Sequence, residues 1–178
     1  KIRERLRTLS HCDVAVLLVL LTFATVFFVY PMPELNWDAG RLGMSGVFWH
    51  DLMRDVVLTG RFDRAGEFIE TYLNHYANST LGDSEYQFFY YPVFLSLTVG
   101  LSFLLFGINE IALYSVVLLF ALASILAAYL LASRLYDKRI GLISSLFLAS
   151  SHALFAYTKS ATIDVPTTAM VAISMFAF

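Results

Sequence analysis

Val14 to Tyr30 reads VAVLLVLLTFATVFFVY, an apolar run without a single charged residue. A run of this length matches a helix that crosses the hydrocarbon core of a bilayer. Four basic residues precede it, Lys1, Arg3, Arg5 and Arg7. Because basic residues are retained in the cytoplasm, we expect a cytoplasmic N-terminus and a first span over about residues 12–30. A cleaved signal peptide is the alternative, but no small-residue cleavage site ends the run.

The rest of the chain has the same apolar character. Over the full 178 residues, 58% are hydrophobic and only 15% are charged, which is unlike an ordinary soluble domain. Further apolar blocks predict spans over 111–133, 140–158 and 166–178. The predicted fold class is therefore all-α, a multi-pass transmembrane helical bundle in a cell membrane, in contact with membrane lipids. The last block covers about 20 Å of a roughly 30 Å core, so we expect this chain to be the N-terminal part of a longer protein.

An acidic and aromatic segment follows the first span and is predicted to form an outer loop over residues 31–110. Residues 47–58 and 62–76 mix apolar, aromatic and charged positions at helical spacing, which predicts two amphipathic helices along the membrane interface. We predict a juxtamembrane or re-entrant helix over 88–107, with both ends outside. The reason is that the basic hinge over 134–141 belongs in the cytoplasm, and two other spans already precede it. A full span over 88–107 is the alternative.

This topology places two acidic residues, Asp38 and Asp164, on the same outer face. Either has a plain structural explanation, because a loop Asp is commonly a solvated turn residue and Asp164 precedes Val165-Pro166 as a helix cap would. An ionisable group at this depth is nevertheless a functional candidate. We predict that the two carboxylates meet in one site and hold a divalent cation, Mg²⁺ or Mn²⁺, since hard cations take oxygen ligands.

Several short motifs occur in a set order after the Trp-Asp pair at Trp37 and Asp38. They are Tyr-Pro (Tyr91-Pro92), Phe-Gly-Ile-Asn-Glu (Phe106 to Glu110), Arg-Leu-Tyr-Asp-Lys-Arg-Ile-Gly (Arg134 to Gly141) and Thr-Lys-Ser-Ala-Thr-Ile-Asp-Val-Pro (Thr158 to Pro166). This order resembles the N-terminal half of the protein mannosyltransferase and aminoarabinose transferase group, integral membrane glycosyltransferases of the GT-C fold. The resemblance implies that Asp38 is a catalytic base or metal ligand and that Asp164 shares its site. Ala39 stands where the family usually has Glu, so Asp51 is kept as a reserve candidate.

The resemblance implies transfer of a sugar from a polyprenyl-phosphate-linked donor to a lipid or protein acceptor. Such a reaction needs a carboxylate base and cations for the departing phosphate. Arg41, Arg54 and Lys159 are the candidate phosphate contacts, although basic residues at an interface often reach toward lipid headgroups instead. Tyr91 of the Tyr-Pro motif is a further substrate-binding candidate.

Other functional classes find little support in the sequence. Cys12 is the only cysteine, which excludes an intramolecular disulfide, and the histidines show no zinc-binding spacing. No phosphate-binding glycine loop and no nucleic-acid-binding pattern is present. A transporter or channel subunit, or a non-catalytic scaffold, remains an alternative. Transport leaves the acidic, aromatic outer loop unexplained, and the predicted spans lack the buried charges that mark a transport path.

Overall fold

The computed structural model describes residues 10–31, 37–77 and 92–177, and of residues 37, 38 and 73–77 it describes the backbone alone. All regular secondary structure within these ranges is helical, which agrees with the predicted all-α class. The chain divides into two compact units. Residues 1–34 and 117–178 form the terminal unit, and residues 35–116 form the central unit.

The first helix, α1, runs from His11 to Val29 in the terminal unit. Ser10 caps its start: the Ser10 hydroxyl accepts from the Asp13 amide at 3.3 Å, and the Asp13 carboxylate accepts from the Ser10 amide at 2.8 Å. This reciprocal pair satisfies two amides that the helix itself leaves unbonded. The helix ends where Pro31 holds Tyr30 in an extended conformation, with φ −71° and ψ 135°. The predicted first span and this helix agree closely.

The central unit is built from helices that pack through glycines and aromatic rings. Its elements are α2 (Trp37–Leu52), a π-helical turn (Met53–Val57), a 3-10 turn (Phe62–Arg64), α3 (Ala65–Ala77), α4 (Val93–Phe106) and the start of α5 (Glu110–Leu135). A Cβ placed on Gly100 of α4 would lie 2.6 Å from the Trp49 Cβ and 3.1 Å from the Gly46 carbonyl oxygen of α2. Small residues at these positions let the two helix backbones approach closely.

The terminal unit contains the rest of α5 and three further helices, α6 (Lys138–Ala149), α7 (His152–Lys159) and α8 (Asp164–Ala177). Asp137 caps α6 by accepting from two amides of its first turn, at 2.7 and 2.8 Å. Asp13 of α1 accepts hydrogen bonds from the Tyr129 hydroxyl of α5 and from the Lys138 Nζ of α6, the latter at 2.6 Å. One carboxylate thus joins three helices.

Among the residues that the structure describes, two helices, α1 and α5, are long and apolar enough to cross a membrane, and the bent pair α6 and α7 is a third candidate if it counts as one span. The shorter apolar helices α4 and α8 have 14 residues each. At 1.5 Å rise, 14 residues cover about 21 Å of a roughly 30 Å core. The length of α4 suits the predicted juxtamembrane or re-entrant helix, whose placement in the membrane stays a prediction.

Residues 140–158, predicted as one continuous span, are broken at Ser150 and Ser151, and the two parts are bent by 53°. The Ser150 hydroxyl donates to the Phe147 carbonyl at 3.0 Å. Ser151 is extended and accepts from the Leu154 amide at 3.5 Å, so it caps α7. Serine side chains that bond to nearby backbone groups compete with a continuing helix. A hydropathy pattern does not register this competition.

Helices occur at both positions where amphipathic helices were predicted, but the first begins earlier than its pattern indicates. The apolar and charged alternation starts at Val47, whereas α2 starts at Trp37. Residues 37–46 contain three glycines, which interrupt any apolar period. The second predicted helix corresponds to the 3-10 turn at Phe62–Arg64 followed by α3.

Candidate functional site

Asp164 is the first residue of α8, and its side chain is exposed. The Thr167 amide donates to the Ile163 carbonyl at 3.1 Å, which is the first hydrogen bond of the helix. Ile163 therefore holds the capping position, and Asp164, which the sequence suggested as the cap, is the first residue inside the helix. Within the described ranges no hydrogen bond or ion pair engages its carboxylate. The positive end of the helix dipole favours an anionic group here. Asp164 therefore presents an accessible carboxylate at a helix mouth.

Asp38 lies in the first turn of α2, and its side chain is outside the described atoms. Asp38 belongs to the central unit and Asp164 to the terminal unit, so their convergence and their catalytic roles stay predictions. In the part of the chain that the structure describes, no three His, Cys, Asp or Glu side chains form a possible metal site. The predicted Mg²⁺ or Mn²⁺ site, with Asp38 and Asp164 as ligands, likewise stays a prediction.

The turn before Asp164 is closed by two backbone hydrogen bonds. The Ala161 amide donates to the Thr158 carbonyl at 3.3 Å, and the Thr162 amide donates to the Tyr157 carbonyl at 3.2 Å. This pair of bonds is the Schellman pattern for the end of a helix, here α7, in which glycine is usual at the left-handed position. Ala161 occupies that position with φ 51° and is fully buried. A non-glycine residue keeps this conformation only where its surroundings enforce it.

Lys159, the last residue of α7, is buried rather than displayed on an outer turn. Its side chain is only 7% exposed. Its Nζ donates to the carbonyl oxygens of Phe27 at 2.5 Å and of Tyr30 at 2.8 Å, both at the end of α1. The same ammonium lies 4.4 Å from the centroid of the Phe27 ring, within the range of a cation–π interaction. Lys159, which was predicted to contact the phosphate, thus bonds to the end of the first helix in this structure.

Aromatic rings surround this ammonium. The Phe155 ring of α7 makes edge contacts with the rings of Phe23, Phe27 and Tyr30, with centroids 5.9 to 6.5 Å apart. The sequence interpretation missed Phe27 and Phe155 because one apolar residue in a span resembles another. A usable signal was present, since Pro31 stands four residues after Phe27 and deprives its carbonyl of the usual helical donor.

An open, mostly apolar groove of about 640 Å³ lies beside these rings in the terminal unit. α1 forms one side, and the break between α6 and α7 forms the other. Tyr30 and Phe155 line the groove, and Ser150, Ser151 and His152 add polar atoms at the break. Its lining suits an extended hydrocarbon better than a polar ligand.

The candidate Arg54 is engaged within the central unit. Its guanidinium forms a bidentate pair with Asp55, at 2.7 and 2.8 Å, and lies 3.6 Å from Asp51. Hydrogen bonding to Arg54 holds the pKa of Asp55 below its usual value, and the same pairing raises the pKa of Arg54. Asp51, the reserve candidate, also contacts the His50 Nδ1 at 2.8 Å. Arg54 and Asp55 are exposed, whereas His50 is buried and Asp51 is partly buried.

The remaining predicted substrate contacts are less defined by the structure. Arg41 is partly buried in α2, where its carbonyl accepts from the Ser45 hydroxyl at 3.0 Å. Tyr91 lies outside the described residues. Their roles as substrate-binding residues stay predictions.

A family model for dolichyl-phosphate-mannose-protein mannosyltransferase matches residues 91–178. The match covers 88 of the 178 residues. The resemblance predicted from the order of the motifs is thereby confirmed. Together with the span-length helices α1 and α5, the match supports a membrane glycosyltransferase of the mannosyltransferase type. Comparison with curated proteins and comparison with solved structures gave no match.

The mannosyltransferase match contains one half of the predicted site and excludes the other. It begins at Tyr91 of the Tyr-Pro motif and includes Lys159, the buried turn and Asp164. Asp38, Arg41 and Arg54 precede it. Of the predicted site, the matched region therefore includes the turn between α7 and α8 but not α2.

Proposed function

We propose that this chain belongs to an enzyme that transfers a sugar from a polyprenyl-phosphate-linked donor to a lipid or protein acceptor at the outer face of a cell membrane. The mannosyltransferase family match carries this proposal, because the matched residues include the accessible carboxylate of Asp164. The groove beside α1 adds support, since its apolar lining suits the hydrocarbon chain of a lipid-linked donor.

The proposed reaction is a displacement at the anomeric carbon of the donor sugar. The acceptor oxygen or nitrogen forms the new glycosidic bond, the bond to the phosphate oxygen breaks, and polyprenyl phosphate leaves with the bonding electron pair. A carboxylate, Asp38 by the family resemblance, accepts the acceptor's proton. Asp164 shares the site, and at the start of α8 it would orient the acceptor or the sugar hydroxyls by hydrogen bonds.

The departing phosphate requires positive charge nearby. We propose Arg41 and Tyr91 as contacts to the donor. Arg54 would have to exchange its bidentate pair with Asp55 for the phosphate. Lys159 would have to leave the carbonyl oxygens at the end of α1, so we assign it a different role below.

The proposal is tested with the full-length protein in proteoliposomes, using radiolabelled polyprenyl phosphate mannose and membrane-derived acceptors. We expect Asp38→Asn and Asp164→Asn each to lower the release of polyprenyl phosphate by about 100-fold or more, as for loss of a general base or its partner. Asp63→Asn, which changes an exposed carboxylate of the 3-10 turn, is the matched control and should not alter turnover. Normal turnover in both site variants would contradict the proposal.

The predicted divalent cation is tested separately. If Asp38 and Asp164 hold Mg²⁺ or Mn²⁺, then EDTA should abolish transfer, and either cation should restore it. Full activity in EDTA would show that the reaction needs no divalent cation. The proposed roles of the two carboxylates as base and orienting group would be unaffected.

The two alternatives predict different results in the same vesicles. A transporter moves labelled donor across the bilayer without forming a glycosylated product, and a scaffold does neither. No observation in the described residues favours either of them over transfer.

A further inference from the structure

The end of α1 has a carbonyl that its own helix cannot satisfy. In an α-helix the Phe27 carbonyl would accept from the amide of residue 31, but residue 31 is proline and has no amide hydrogen. Phe27 is fully buried, and an unpaired buried carbonyl is costly, so a donor must come from elsewhere. Lys159 supplies it, at 2.5 Å.

The same ammonium also reaches the Tyr30 carbonyl, one residue beyond the helix. Two acceptors and the face of the Phe27 ring therefore surround one buried charge. Cations are favoured at the C-terminal end of a helix, where carbonyls carry partial negative charge. This arrangement fixes the end of α7 to the end of α1.

The turn that begins at Lys159 leads directly to the candidate carboxylate. Only four residues separate Lys159 from Asp164. Within them, Ala161 is buried in the left-handed conformation, and two backbone hydrogen bonds close the turn. Ala161 is the fully buried residue of this turn, and the two bonds tie residues 161 and 162 to the end of α7, two residues before Asp164.

We propose that Lys159 is a positioning residue: its ammonium takes the place of the amide that Pro31 lacks and thereby holds the 160–163 turn, with Asp164, against the end of α1. The inference rests on the proposed function, in which Asp164 is a site residue. Lys159 acts through this turn and does not itself contact the donor.

The first test compares kinetic parameters in proteoliposomes of the full-length protein with radiolabelled polyprenyl phosphate mannose. For Lys159→Met we expect kcat to fall about 10- to 100-fold, as for a misplaced catalytic group, with the KM for the donor unchanged. Lys159→Arg keeps a donor for both carbonyls and should recover most of kcat. Lys138→Met is the matched control, because Lys138 bonds Asp13 at the opposite end of α1 and should not alter kcat.

The second test separates positioning from mere stabilisation of α1. In Pro31→Ala the amide of residue 31 is restored and can satisfy the Phe27 carbonyl. We therefore expect Pro31→Ala/Lys159→Met to unfold at nearly the same temperature as Pro31→Ala alone. Its kcat should nevertheless stay low, because the turn still lacks its tie to α1. Recovery of kcat together with stability would show that Lys159 only completes the helix end, and would overturn the proposal.

Other outcomes are equally decisive. A raised donor KM with unchanged kcat in Lys159→Met would make Lys159 a phosphate contact, and unchanged kinetics would remove it from the site. If Lys159→Met does not fold, Lys159→Arg and Lys159→Gln replace it. We then expect kcat to fall from Lys159→Arg to Lys159→Gln while the KM for the donor stays constant. A change in KM would contradict the positioning role. Asp164→Asn, measured in parallel, distinguishes failure of the proposed function from failure of the positioning role. If Asp164→Asn is fully active, the proposed function is wrong. If Asp164→Asn is inactive and Lys159→Met has normal kinetics, only the positioning role is wrong.

Discussion

Charged side chains act at both ends of α1. At its start Asp13 accepts from the Tyr129 hydroxyl and from the Lys138 ammonium, and at its end Lys159 donates to two carbonyls. The first amides and the last carbonyls of any helix lack partners within the helix. Side chains from other helices therefore bond to both ends of α1, through Asp13 at its start and through the Phe27 and Tyr30 carbonyls at its end.

We expect Tyr129→Phe to lower the free energy of unfolding by about 1–3 kcal/mol, because the charged Asp13 carboxylate loses the bond from the buried Tyr129 hydroxyl. The Tyr129 side chain is 4% exposed, whereas Tyr136, seven residues later, is 72% exposed. Tyr136→Phe is therefore the matched control and should leave stability unchanged. The measurement is thermal unfolding of the full-length protein in detergent; equal midpoints for the two variants would show that the hydroxyl of Tyr129 contributes nothing.

Helix contacts in the central unit depend on the absence of side chains. Gly46 and Gly100 bring α2 and α4 together so closely that an added methyl group at either position meets the opposite helix. Such contacts are invisible to a hydropathy pattern, which treats both glycines as interruptions. Gly46 lies in the part of α2 that precedes the amphipathic pattern, so that pattern could not report this contact.

Gly100→Ala should destabilise the protein by about 1–3 kcal/mol, since the new Cβ overlaps Trp49 and the backbone of α2. Gly66→Ala in α3 is the contrasting change. Nothing lies within 4 Å of a Cβ at position 66, so this substitution should stabilise the helix by about 0.5–1 kcal/mol. Unfolding midpoints in one detergent compare the two variants, and opposite signs are required for the packing argument to hold.

At the scale of the whole molecule, the sequence predicts the helices that long apolar runs form. It does not predict which side chains, distant along the chain, bond to each other. The run from Val14 to Tyr30 was sufficient to predict α1, and the basic residues Arg134, Lys138 and Arg139 marked the hinge between α5 and α6. The bond from Lys159 to Phe27 spans 132 residues, and no periodicity reports it. The apolar composition of a segment predicts that it is buried or spans a membrane. The hydrogen-bond partners of its polar groups depend on which residues the fold brings close together.

The predicted topology has a direct test by cysteine labelling. In a Cys12→Ser background, a membrane-impermeant maleimide should label Thr162→Cys from the outer side and Tyr136→Cys only after the cytoplasmic side is opened. Labelling of Thr162→Cys from the cytoplasm alone would separate Asp164 from the outer face and remove the basis for a site shared with Asp38.

The break at Ser150 and Ser151 has a consequence for what this protein can hold inside a bilayer. Where α6 and α7 form one bent span, two short dipoles stand in series, and the carbonyl-rich end of the first meets the amide-rich end of the second. The break therefore brings together the last carbonyls of one helix and the first amides of the next, groups that a helix leaves without partners of its own. In a straight helix over the same residues these groups would bond to one another.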